Sequence, residues 1–151
     1  MEFTIVNLEP HQAIAIRDHS TASGLGKKYE EIYGELSAIV KKQGLKFKEH
    51  PFGLYHSFSQ EDVDMEGGFV VDGDPKSEGR MHVMQTYSGK ALRADYYGPY
   101  TEIQKGWDAA IEYAKENNLE TMWPCFEIYV TDPSFEPDSS KWHTEIYLPI
   151  K

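Results

Sequence analysis

Two stretches of this chain repeat the same order of residue types at a constant separation, and that repetition limits the available folds more than any other feature. An offset of 74 carries Gly24 to Gly98, Tyr33 to Trp107, Leu45 to Leu119, Phe52 to Phe126, Leu54 to Ile128 and Tyr55 to Tyr129. It also carries Gly44 to Asn118. Gly and Asn are the residues that best tolerate the left-handed conformation found just after a helix, so this match has a backbone reason.

Both copies give the same succession of local signals. In the first, residues 3–6 and 13–17 read as strands around the turn Glu9-Pro10-His11, which predicts an opening hairpin. Leu25, Tyr29, Ile32, Tyr33, Leu36, Ile39 and Val40 then recur at three- and four-residue spacing, the signature of an amphipathic helix over residues 24–43. Thr21 and Ser23 are candidate caps at its start. Strands follow at 52–58 and 68–71, separated by an acidic loop at 60–66. The second copy predicts strands at 81–84 and 91–96, a helix from Pro99 to about Asn117, and strands at 126–130 and 144–148. Residues 73–79, rich in Gly, Asp and Pro, read as the linker.

The expected fold is therefore α+β, one domain over residues 1–151 built from two β-β-α-β-β repeats at about 1–72 and 80–151. One such unit cannot cover its own sheet. The two are expected to share one antiparallel sheet, with both helices on one face and a ligand cleft between the repeats.

Composition narrows the partners. Fifteen basic against 25 acidic side chains give a net charge of −10, which disfavours a phosphate-binding surface and hence nucleic acid. No apolar run approaches the roughly 20 residues of a membrane span, and no charged-then-apolar leader opens the chain, so a soluble, cytoplasmic protein is expected. A lone cysteine, Cys125, rules out an intrachain disulfide and suits a reducing compartment. Ten Tyr, seven Phe and three Trp exceed what a small core needs, so some are expected to line a ligand site.

The chemistry concentrates in Trp123-Pro124-Cys125-Phe126-Glu127-Ile128-Tyr129, a strand-like run with one carboxylate among aromatics. Strand alternation sends Phe126 and Ile128 toward a core and Trp123, Cys125, Glu127 and Tyr129 to the other face. A carboxylate so flanked implies either a covered cavity or a buried hydrogen bond. Its repeat partner is Gly53, which leaves space beside the acid. Tyr55, Trp123, Tyr129, Trp142 and Tyr147 are candidate wall residues, and Glu145 is a second candidate acid. Trp107 and Tyr33 read as helix-face packing, and Cys125 as a buried spectator thiol. The six histidines show no paired ligand spacing, and the calcium-loop-like start at Asp62 has Gly73 where its twelfth-position Glu should stand. Neither metal nor cofactor is expected.

Three motifs carry a resemblance: Tyr97-Gly98-Pro99-Tyr100-Thr101-Glu102-Ile103 leading to Trp107, then Phe126-Glu127-Ile128-Tyr129 with Asp132-Pro133, then Thr144-Glu145-Ile146-Tyr147-Leu148-Pro149-Ile150. In this order they resemble the GyrI-like, or AraC-type effector-binding, small-molecule-binding domain family. The resemblance implies a duplicated βαββ architecture and a central cleft that takes up bulky, lipophilic, often cationic compounds. It also implies an acidic anchor at the position of Glu127. Transcription-factor members join this domain to a helix-turn-helix region, whereas this chain begins at its first strand and is expected to be a stand-alone bacterial member. The function so implied is binding or sequestration of lipophilic, preferably cationic or planar, small molecules. Two alternatives follow from other relatives: hydrolysis of electrophilic, cyclopropanoid-type compounds with Glu127 as the catalytic residue, and a protein-interaction role like that of a gyrase inhibitor.

Overall fold

Apolar patterning and turn chemistry resolve into nine strands and two helices in the computed structural model, which describes residues 1–151. In chain order these are β1 (Glu2–Leu8), β2 (Gln12–Ser20), α1 (Leu25–Gln43), β3 (Lys46–Phe47), β4 (Phe52–Phe58) and β5 (Val63–Asp72). Then come β6 (Met81–Gln85), β7 (Gly89–Tyr97), α2 (Ile103–Glu116), β8 (Cys125–Tyr129) and β9 (His143–Pro149). The strand ladders are antiparallel and the class is α+β, as the sequence predicts. No helix is long and apolar enough to cross a membrane.

The chain divides into two compact units, Glu9–Tyr87 and Met1–Leu8 with Ser88–Lys151. In the first unit the strand order is β4-β5-β2-β6, β3 also pairs with β5, and α1 packs on β2 and β5. In the second unit the order is β1-β7-β9-β8, and α2 packs on β7 and β9.

The opening hairpin does not form. β1 pairs with β7, from Glu2 opposite Asp95 to Leu8 opposite Gly89, while β2 pairs with β5 on one side and β6 on the other. The reason is legible in β2 itself: Ala13, Ile14, Ala15 and Ile16 are fully buried in succession, which marks a strand covered on both faces. With both edges taken, β2 has none left for β1. In chain order each half still reads β-β-α-β-β, but the first strand of each pairs outside its own half, β6 beside β2 and β1 beside β7. Residues 73–79 lie inside the first unit, and the chain passes between units at 8–9 and 87–88.

The acidic stretch is also re-read. Val63 and Met65 are fully buried and alternate with Asp64 and Glu66, so β5 begins five residues before the expected strand at Gly68. Asp64 is bonded bidentately by Arg17 at 2.9 and 2.7 Å, which removes the need for solvent at that position.

The two helices end in the same turn. After α1, Gly44 has φ 67°, its N–H meets Lys41 O, and Leu45 N–H meets Val40 O at 2.9 Å. After α2, Asn118 has φ 55°, its N–H meets Lys115 O, and Leu119 N–H meets Ala114 O at 2.9 Å. The offset of 74 therefore reproduces individual hydrogen bonds, and the left-handed residue is Gly in one copy and Asn in the other for the reason given above. Pro99 stays outside its helix in an extended conformation, and a single 3-10 turn, Tyr100–Glu102, leads into α2.

In the second unit Leu92, Ala94, Ile146, Leu148 and Cys125 face Ala110 and Ala114 of α2. The helix sits close to the sheet at Gly106, where a Cβ would stand 2.9 Å from Ile146 Cδ1 and 3.0 Å from Tyr96 Cδ1. That approach determines where the next residue, Trp107, delivers its indole.

Candidate functional site

β8 alternates as expected, but its faces are reversed. Cys125 lies in the core under α2, so Glu127 and Tyr129, at the same parity, face the helix layer. Phe126 points the other way, stacked on Tyr147 at 4.8 Å with 12° between the rings. Cys125 shares one buried cluster with Ala110 and Ala114 of α2, so this is the side of β8 that the helix covers.

Glu127 is 3 % exposed. The Trp107 indole N–H donates to its Oε2 at 2.8 Å, and the Tyr129 hydroxyl donates to its Oε1 at 2.5 Å. Burial alone would make a carboxylate here costly, and hydrogen bonds from aromatic donors offset part of that cost. Tyr100 lies edge-on to Tyr129 with ring centroids 5.6 Å apart, and Trp142 lies 5.1 Å beyond it. Burial first, then the charges of Glu127 and Asp132, push the Tyr100 hydroxyl up to about 12. Thr144, fully buried on the neighbouring strand and opposite Tyr129, has an Oγ1 with no hydrogen-bond partner. A buried hydroxyl left unpaired costs free energy that a polar ligand atom would recover.

The first unit carries the repeat partners of these residues. Tyr33, the partner of Trp107, donates its hydroxyl to Phe52 O at 2.6 Å. Tyr55, the partner of Tyr129, accepts a hydrogen bond from Tyr29 at 2.6 Å. Gly53 stands where Glu127 stands, opposite Gly67 in the ladder.

The remaining candidates separate. Trp142 joins the aromatic wall through Tyr100, with its indole N–H held by Glu136 O at 2.8 Å. Trp123 is exposed in the loop before β8. Tyr147 and Glu145 lie on the opposite face of the sheet from Glu127, joined by a 3.0 Å hydrogen bond from the Tyr147 hydroxyl to Glu145 Oε1. Burial and the Glu145 charge push that hydroxyl upward. Tyr55 and Gly53 are buried in the first unit. A surface cavity of about 350 Å³ lies elsewhere in that unit, edged by Glu35, Lys42, Glu78 and Arg80, and Glu127 does not line it. Its charged rim is engaged in ion pairs such as Lys42 with Glu78 at 2.9 Å, so it is a surface groove without free polar groups to orient a ligand.

Trp107 packs against the core as its helix-face position predicts, and it adds a hydrogen bond to Glu127; Tyr100 and Thr144 are neighbours in that carboxylate's surroundings that sequence reading missed. For the Trp107 bond the signal was present: an indole on a buried helix face needs an acceptor for its N–H, and a carboxylate was the one acid on the facing strand.

The pattern of the GyrI-like small molecule binding domain matches residues 1–151. The chain belongs to this family. Among curated proteins no significant match is found. Among solved structures, the C-terminal domain of EcmrR aligns with TM-score 0.89 at 20 % identity, over 99 % of this chain and 97 % of that one. In the complex of EcmrR with DNA, this chain spans only 57 % of the EcmrR chain. SAV2435 bound to tetraphenylphosphonium aligns with TM-score 0.73 at 18 % identity, over 100 % and 94 % of the two chains. A hydrolase from Listeria innocua aligns with TM-score 0.68 at 12 % identity, over 99 % and 92 %. At these identities the likeness establishes the GyrI-like fold and leaves the ligand to the site itself.

Proposed function

We propose that this GyrI-like chain binds or sequesters lipophilic, cationic or planar small molecules, with Glu127 as the anchor. The observation that carries the reading is a 3 %-exposed carboxylate gripped by two aromatic donors, Trp107 and Tyr129. A buried carboxylate gains most from a partner of opposite charge, because the interior screens charges poorly. Rings of Trp107, Tyr100 and Tyr129 would add cation–π attraction of about 0.5–2 kcal/mol each. Thr144 Oγ1 offers a polar contact that a ligand can use. Glu127 is covered as it stands, so binding requires side chains around it to move. Support comes also from the family, which binds small molecules, and from the relative solved with a lipophilic phosphonium cation.

Titration with tetraphenylphosphonium, followed by calorimetry, tests the anchor. Glu127→Gln is expected to bind at least tenfold more weakly, a loss of about 1.4 kcal/mol. Equal affinities would remove Glu127 from the account.

The same three residues support a second reading, in which Glu127 acts as acid and base on a water that opens an electrophilic, cyclopropanoid-type ring while Trp107 and Tyr129 hold the carboxylate in place. A hydrolase shares the fold. Incubation with such a compound and mass analysis of the product separates the readings: a mass gain of one water supports turnover, and unchanged compound supports binding alone. A protein-interaction role of the gyrase-inhibitor kind has only the acidic charge in its favour.

A further inference from the structure

On the face of the second unit's sheet opposite Glu127, strand register places two carboxylates directly across from each other: Asp95 of β7 opposite Glu145 of β9. Like charges so opposed destabilise a sheet unless a cation lies between them. His143, two residues before Glu145 and on the same face, brings its Nε2 to 2.8 Å from Asp95 Oδ1. One ligand atom from each of Asp95, His143 and Glu145 lies within 4.8 Å of the others.

We infer that Asp95, His143 and Glu145 form a binding site for a first-row divalent transition-metal ion such as zinc. The ion would sit between Asp95 Oδ1, His143 Nε2 and the free oxygen of Glu145, taking the place of the proton shared between His143 and Asp95. Neighbouring side chains restrain the three ligands, and outer contacts of this kind hold ligand geometry in metal sites. Arg93 Nε stands 3.5 Å from the other Asp95 oxygen, Oδ2. The Tyr147 hydroxyl engages Glu145 Oε1. Tyr97 stacks on the His143 ring at 4.5 Å with 11° between the planes, which fixes its orientation. One imidazole with two carboxylates suits zinc, iron or manganese better than the hard ions that prefer oxygen alone. The Arg93 charge opposes a cation, but two carboxylates against one guanidinium leave a net charge of −1 facing the ion. Asp95 is 91 % buried by side chain and His143 81 %, so the ion would keep a restricted opening to water. Sequence spacing hides this set because Asp95 and His143 are 48 residues apart and meet only through the β7–β9 register.

Protein stripped with a chelator and dialysed is titrated with zinc by calorimetry, and cobalt(II) absorption reports imidazole coordination. One ion per chain is expected, with at least tenfold weaker binding in both His143→Gln and Glu145→Gln, and unchanged binding in His82→Gln. Circular dichroism checks that the variants fold; should Glu145→Gln not, His143→Gln decides, since its amide still reaches Asp95. Absence of saturable binding, or binding unchanged in His143→Gln, overturns the assignment. Loss in His82→Gln alone does so too, by moving the ion to Glu66, whose oxygens lie 2.7 Å from His56 Nε2 and 2.8 Å from His82 Nε2. Magnesium binding as tight as zinc would overturn the class of ion.

Discussion

Trp107 on α2 and Glu127 on β8 are joined by a 2.8 Å hydrogen bond from indole to carboxylate, and that bond ties the helix layer to a buried acid on the sheet. Trp107→Phe keeps most of the ring and removes the donor. The loss of a hydrogen bond to a buried charged group is expected to lower stability by about 1–3 kcal/mol, measured by urea unfolding. Tetraphenylphosphonium affinity should fall less than in Glu127→Gln, because the charge remains. An unchanged unfolding midpoint would show that the bond contributes nothing net.

Gly106 sets the distance between α2 and the sheet. In an exposed helix, Gly to Ala stabilises by about 1 kcal/mol, yet here the added Cβ would meet Ile146 and Tyr96 at 2.9 and 3.0 Å. Gly106→Ala is therefore expected to destabilise by about 1–3 kcal/mol despite its better propensity. It should also weaken ligand binding, since lifting the helix moves Trp107 away from Glu127. A stabilised variant would mean that Tyr96 yields freely.

In the first unit Asp18 provides a pH test. Burial opposes its charge, but the His19 N–H and hydrogen bonds from Arg80 and Lys28 outweigh that and hold the carboxyl down at about 2. A carboxyl whose folded pKa lies below its unfolded value adds stability above the unfolded pKa, and that stability is lost as pH falls through the folded one. The stability gap between wild type and Asp18→Asn should thus be full above about pH 5 and close by about pH 1. Unfolding curves across this range check it; a gap that stays constant contradicts it.

Burial pushes the Cys125 thiol up to about 12, so very little of it is thiolate at neutral pH. The thiol also donates to Met122 O at 3.4 Å. Native protein should react with a thiol-specific disulfide reagent far more slowly than protein in denaturant. Equal rates would place Cys125 at the surface.

How much of this was legible beforehand differs from residue to residue. Gly44 and Asn118 were readable because a left-handed turn is a local demand that one side chain answers. The amphipathic spacing of Leu25 to Val40 located α1 for the same reason: period is a property of the chain alone. The isolation of Glu127 among aromatics marked it as unusual, and the family motifs around it pointed to a small-molecule domain.

Other features depend on which surfaces meet. Alternation along β8 divides its side chains into two sets and is silent on which set the helix covers; packing puts Cys125 in the core with α2 and Glu127 against Trp107. Partnering of β1 with β7 was equally hidden, because a short strand pairs with whichever edge is free and β2 had already used both of its own. The meeting of Asp95 with Glu145 and His143 exists only through register. The sequence by itself determined the repeat, the helices, their closing turns and the presence of one acid in an aromatic run. Tertiary structure decided which face that acid occupies and which residues hold it, since non-local contacts are set by packing and hydrogen-bond satisfaction over the whole unit.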